Sequence, residues 1–168
     1  VESTVLDMST ATPVILRPGA VTKQDIEGVI GSIDLNHHKV GKNETPKAPG
    51  MKYKHYAPSA QVYIVDEGTD WAKVAKWVAQ QPFDVGVMAE ERILQQLTLP
   101  MNAVQFSLGT GVEDASARLF DGLRGFDDQP NVKAIVTEAF TAKNLGRAYM
   151  NRLNKSAGGV HFDPAQVK

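Results

Sequence analysis

The stretch "QVYIVDEGTDWAKVAKWVAQ" (61–80) changes its hydrophobic period part-way along. It opens on a β-rich apolar run, "QVYIVD", and then repeats Trp71, Val74 and Val78 at helical spacing. A strand followed by a helix with one apolar face is what that change predicts. The pairing recurs downstream, where "VGVMA" (85–89), "VQFSL" (104–108) and "KAIVTEAF" (133–140) are each followed by a helix-spaced stretch. In "VEDASARLFDGLRGF" (112–126) the apolar series is Val112, Ala115, Leu119, Leu123 and Phe126. Alternation of this kind is the mark of a parallel sheet, and right-handed crossovers lay the helices against it. Residues 59–168 are therefore expected to form an α/β unit, a small Rossmann-like parallel sheet of about four strands with flanking helices.

The composition fits a globular chain. Of 168 residues, 42% are apolar and 22% charged, so a core can form. The formal net charge of −1 argues against a dedicated nucleic-acid binder, and any basic function must be local. There is no cysteine, which removes disulfides, thiolate nucleophiles and zinc–thiolate sites. No apolar run approaches membrane-spanning length, and no signal peptide opens the chain.

The first 36 residues have a different texture. "STVLDMS" and "PVILRPG" read as strands, and "TKQDIEGVIG" as a short helix opened by Thr22 and closed by Gly31. Two strands and one helix rarely make an independent core, so residues 1–36 are expected to be the remnant of a preceding domain. The start at Val1 is expected equally of an excised or processed piece and of an artificially chosen boundary.

Between the two parts, residues 37–58 carry Pro46, Pro49 and Pro58 and no helical periodicity. Five lysines stand there against one glutamate, which favours anions locally. Its last part, "APGMKYKHYAP" (48–58), is too aromatic for a plain tether. In an extended strand Lys52, Lys54 and Tyr56 project to one side and Met51, Tyr53 and His55 to the other, so one side can pack while the other meets phosphate or solvent. This is the pattern of a lid. His37, His38 and His55 lack carboxylates or thiols at ligand spacing, so no metal site is expected. "SLGTGVEDA" (107–115) follows a strand and opens a helix, but Asp114 stands where a dinucleotide fingerprint needs glycine. A capping box of Thr110 with Glu113 is the preferred reading. Arg147, Arg152 and Lys155 read as a solvated helix face.

Taken in order, "ESTVLD" (2–7), "VILRPG" (14–19), "APGMKYKHYAP" and "LGRAYMNRLNKSAGG" (145–159) make the chain resemble the two-domain threonylcarbamoyl-AMP synthases. The resemblance implies a YrdC-like α/β catalytic domain, of which residues 1–36 are the remnant, then a linker or lid (37–58) and a Rossmann-like C-terminal domain (59–168). It implies a cytoplasmic nucleotidyltransferase that joins L-threonine, bicarbonate and ATP, with Mg, into threonylcarbamoyl-AMP and pyrophosphate for tRNA modification. Ser3 matches the family's threonine-contacting serine. Arg17 is the candidate for a nucleotide-phosphate contact, with His55 and Tyr56 also on the nucleotide and Met51, Lys52, Tyr53 and Lys54 in the lid. The family's upstream basic motif and Ser-x-Asn segment do not occur in these residues, so no catalytic residue is assigned, no tightly bound cofactor is expected, and the fragment alone is expected to be inactive. Downstream tRNA-modification proteins are the expected partners, with no direct nucleic-acid binding. Two other readings compete: a non-catalytic regulatory or partner-binding α/β module, and an independent flavodoxin-like or nucleotide-binding domain, for which no diagnostic loop is present.

Overall fold

The protein is described by a computed structural model over residues 2–36 and 57–166. Its elements run β1 (Val5–Asp7), β2 (Val14–Arg17), α1 (Lys23–Ile30), β3 (Asp34–Leu35), β4 (Gln61–Val65), α2 (Trp71–Ala79), β5 (Asp84–Ala89), α3 (Glu91–Gln96), β6 (Ala103–Ser107), α4 (Val112–Asp127), β7 (Val132–Glu138) and α5 (Leu145–Ala157), with a final 3-10 turn at Pro164–Gln166. They form two sheets. The first is β1-β2-β3, with β1 antiparallel and β3 parallel to β2. The second is β4-β7-β5-β6, parallel throughout, as the alternating pattern predicts.

Each strand of the second sheet sends alternate side chains to opposite faces. On one face Ile64, Met88 and Ile135 pack with Leu119, Leu123 and Phe126 of α4 and with Tyr149 and Leu153 of α5. On the other, Val65, Val87 and Val136 pack with Val74 and Val78 of α2, joined by Leu94 of α3. Helices thus cover both faces, which is why β5 and β7 read as continuous apolar runs. Residues 160–162 add to the outer edge of β4: the Ile64 N–H donates to Val160 O (3.0 Å), and the Phe162 N–H donates to Ile64 O (2.8 Å). That pairing blunts an otherwise open strand edge.

The first sheet is thinly covered. Helix α1 is closed as predicted, with Thr22 as N-cap in a capping box with Asp25 and Gly31 at positive φ ending it. Yet none of its residues is buried, and Met8, Val21, Val29 and Ile30 are exposed. Among the described residues no helix is long and apolar enough to cross a membrane.

Close packing at the central strand depends on one small residue. A Cβ on Gly86 of β5 would fall 2.8 Å from the Phe126 ring, and that ring is itself held edge-on to Phe106. Gly86→Ala is expected to destabilise the chain by about 1–3 kcal/mol through overpacking, read as a lowered urea midpoint with an unchanged slope.

Candidate functional site

The two residues singled out near the N-terminus come together. Ser3 is exposed and lies just before β1 rather than within it, because the Ser3 carbonyl is taken by a side chain instead of a strand neighbour. The Arg17 guanidinium donates to that oxygen from Nε (3.2 Å) and Nη2 (3.0 Å). Its Nη1 also pairs with the Glu2 carboxylate at 3.1 Å. The turn after Arg17 presses on the same segment. Gly19 lies so close to the backbone of Glu2, Ser3 and Thr4 that no Cβ fits, the Ala20 N–H donates to Glu2 O (3.3 Å), and the Thr4 hydroxyl donates to Val21 O (2.5 Å). Arg-Pro-Gly is therefore a clamp on Glu2–Thr4. Ser3 opens into a hollow of about 380 Å³ whose other walls include Leu6, Ala20, Val21 and Ile26.

The clamp is anchored on the second sheet's last helix. Arg152 of α5 is 2% exposed, and its Nη2 lies 2.6 Å from the Glu2 carboxylate that Arg17 also holds. The expectation of a solvated face on this helix is corrected here. Arg152 falls on the buried stripe with Ala148, Tyr149, Leu153 and Ser156, where helical spacing puts it beneath the N-terminal segment. Lys155 is drawn into the same cluster: burial, and then the Arg152 charge, hold its amine below the ordinary lysine range. Asn144 and Arg147 of the α5 region line a second hollow, of about 150 Å³, with Pro18, Gly19 and Thr22.

A larger cleft, of about 720 Å³, lies at the carboxyl ends of the parallel strands and was not anticipated from the sequence. Neighbouring strands β4 and β7 leave the sheet toward opposite faces, to α2 and to α5, and such a reversal opens a crevice. Trp71, Phe140, Lys143 and Asn144 line it. At its base are two buried carboxylates, Glu90 and Glu138, bridged by Arg92, whose Nη2 lies 2.6 Å from Glu90 and 3.0 Å from Glu138. The Glu90 N–H donates to Glu138 Oε2 (2.7 Å), and the buried Tyr149 hydroxyl donates to the Glu138 carbonyl (2.7 Å). Burial raises the Glu138 carboxyl above the ordinary range and the Glu90 charge adds to it; the Glu90 N–H and Arg92 offset part of this. Burial likewise pushes the Tyr149 hydroxyl well up. At the cleft mouth His161 Nδ1 lies 2.9 Å from Asp66, and the Thr141 hydroxyl donates to Glu67 (2.8 Å).

The capping box expected at Thr110 is corrected in its partner. Helix α4 starts at Val112, and Thr110 N–H and Oγ1 both bond Asp114 Oδ2, at 3.0 and 3.1 Å, with Glu113 uninvolved. These bonds lower the Asp114 carboxyl. Gly109, at φ 90°, makes the turn, and its Cβ position is occupied by Asp114. The loop is thus filled by its own side chain, as a structural cap would be. The lid residues Met51, Lys52, Tyr53, Lys54, His55 and Tyr56 lie outside the described residues.

A family model described as threonylcarbamoyl-AMP synthase, C-terminal domain, matches residues 21–158. A protein named threonylcarbamoyl-AMP synthase from Pyrococcus abyssi is 40% identical over 164 residues, covering 94% of this chain and 46% of its own length. One of the same name from Bacillus subtilis is 38% identical over 164 residues, covering 95% and 46%. The chain spans about half the length of the curated relatives it matches. Among solved structures, P. abyssi Sua5 complexed with L-threonine superposes with a TM-score of 0.79 at 38% identity, covering 96% of this chain and 48% of that one. A variant of the same archaeal protein, with an adjacent histidine and tyrosine both replaced by alanine, superposes with a TM-score of 0.80 at 36% identity, covering 97% and 48%.

The raised carboxyl in the cleft makes a pH prediction. A folded-state carboxyl that holds its proton more tightly than the unfolded chain's loses stability as pH rises from the ordinary glutamate value of about 4.3 through its own. Glu138→Gln removes that ionisation. Urea midpoints measured from about pH 4 to pH 7 are expected to fall for the native chain relative to Glu138→Gln as pH rises. A difference independent of pH would contradict the raised carboxyl.

Proposed function

The chain belongs to the family of threonylcarbamoyl-AMP synthase C-terminal domains, and from that premise we propose that it is the C-terminal portion of an L-threonylcarbamoyladenylate synthase. The observation that carries the reading is the clamp at residues 2–20. Arg17 and Gly19 hold the Ser3 backbone from both sides while leaving the serine exposed in a hollow. The P. abyssi protein complexed with L-threonine supports L-threonine as the substrate, and Ser3 is proposed as one of its contacts. The exposed apolar residues Met8, Val21, Val29 and Ile30 are consistent with residues 1–36 belonging to a larger catalytic domain, whose remaining surface would cover them.

In the proposed reaction the threonine amine combines with carbon dioxide derived from bicarbonate to give a carbamate. A carbamate oxygen then attacks the α-phosphorus of magnesium–ATP, the bond to the β-phosphate oxygen breaks, and pyrophosphate leaves. Such transfers depend on positioning and on charge complementarity. Ser3 would orient threonine. Arg17, proposed from its sequence context as a phosphate contact, is engaged with Ser3 and Glu2, so its contribution to the nucleotide side would be made from that clamp. Residues 37–58 would close over the site as a lid, excluding water from a carbamate and an adenylate that it readily destroys.

A second reading is favoured by the cleft between β4 and β7. Its position and its buried carboxylates suit a ligand-binding regulatory unit without chemistry of its own.

Two measurements test the synthase reading. Threonine-dependent pyrophosphate release is expected from the full-length protein and not from this chain alone, since the family's upstream basic motif is absent from it; release by the isolated chain would overturn the division of labour. In the full-length protein, replacing Tyr53, His55 and Tyr56 together by alanine is expected to lower product formation roughly tenfold or more at nearly unchanged stability. A glycine–serine spacer of equal length, with full activity in both variants, would reduce the segment to a tether.

A further inference from the structure

We propose that Arg152, on the last helix of the parallel-sheet unit, is a positioning residue for the threonine hollow, acting through Glu2 on the Ser3 peptide. This rests on the synthase reading given above and adds to it a physical reason why the C-terminal unit is needed.

Three observations converge. Arg152 is almost completely buried, and it is the one charged side chain among the buried residues of α5. A buried ion pair recovers little net stability over an apolar pair of similar volume, so what the charge adds is a defined geometry. Its partner, Glu2, immediately precedes Ser3 and is shared with Arg17, at 2.6 Å from Arg152 and 3.1 Å from Arg17. Arg17 in turn holds the Ser3 carbonyl with two nitrogens. The chain of contacts therefore runs from α5 to the Ser3 backbone in two links, both charge-assisted and directional. With Lys155 close by, Glu2 lies among three cations.

Fixing the Ser3–Thr4 peptide through the Ser3 carbonyl fixes the Ser3 backbone, and with it the position from which the hydroxyl projects. Small displacements of a substrate-orienting group weaken binding of the substrate it touches and leave a distant nucleotide contact largely unaffected. Arg152 is accordingly expected to act on L-threonine. It does not touch substrate itself.

The test uses the full-length protein, with initial rates of pyrophosphate release measured against L-threonine and against ATP. Glu2→Gln keeps shape and removes the charge at a half-exposed position, Arg152→Met removes the charge at constant bulk, and Arg152→Lys keeps it. Glu2→Gln and Arg152→Met are each expected to raise the threonine KM about tenfold, with kcat and the ATP KM within about twofold of the native values. Arg152→Lys is expected to recover part of the loss, and the double variant Glu2→Gln/Arg152→Met to be no worse than either single one. Should Arg152→Met fail to fold, Glu2→Gln alone decides. An unchanged threonine KM in folded variants of an active protein overturns the proposal and leaves the synthase reading intact; so does a parallel loss in kcat and both KM values, which a merely structural role would give. A native full-length protein without threonine-dependent release overturns the synthase reading, and the proposal with it.

Discussion

The arrangement of this chain turns on a buried positive charge. Arg152 cannot be left unpaired at 2% exposure, and the carboxylate that meets it comes from residue 2, at the other end of the chain. Helix α5 must therefore satisfy two neighbours at once. Tyr149, Leu153 and Ala157 fill the core over the parallel sheet, while Arg152 and Ser156 on the same buried stripe face away from it. The first sheet, none of whose helix residues is buried, is held to the larger unit through that charge, and its turn at Pro18–Gly19 shares the walls of a hollow with Asn144 and Arg147.

On the other side of α5 the same logic of buried charge shapes the cleft. Glu90, the residue after β5, and Glu138, the last residue of β7, come together only because β7 inserts between β4 and β5 in the sheet. Arg92 bridges the two, and the Glu138 carboxyl is still raised, first by its burial and then by the Glu90 charge. A strand order that followed the chain order would have placed β4 beside β5 and dispersed this cluster. The topology, more than any local motif, builds the site.

That distinction explains what could be read from the sequence. The strand–helix alternation from Gln61 to Glu138 made the parallel sheet legible, because period 2 and period 3.6 are local signals. Thr22 and Gly31 marked the ends of α1 for the same reason. The cleft was not legible, since Glu90 and Glu138 lie 48 residues apart and only strand order brings them together. Arg152 was misread although its signal was present. Counting from Tyr149 and Leu153 puts it on the buried stripe, but a lone arginine near a helix end is usually solvated, and its partner Glu2 could not be guessed. Glu113 was preferred to Asp114 as the partner of Thr110 because the standard capping spacing was assumed; the turn at Gly109 and a helix start at Val112 put the acid one residue further on.

Helix α5 connects these two charged centres as one element. The Tyr149 hydroxyl is bonded to the backbone of Glu138 at the cleft, and Arg152, three residues on, is bonded to Glu2 beside Ser3. Residues three apart lie on one helical face about one turn from each other, and a helix packed along its length moves as a body. The carboxyl end of β7 at Glu138, on the wall of the cleft, is therefore linked to Arg152 through Tyr149 and one turn of α5. The loop that precedes α5 resists independent motion: Asn144 is held at φ 46°, a conformation a non-glycine residue adopts only where its surroundings impose it, and Gly146 lies so close to the Thr141 carbonyl that no side chain fits between them. The cleft of the larger unit and the serine hollow of the smaller one thus border the same helix, with their contacts on it about one turn apart.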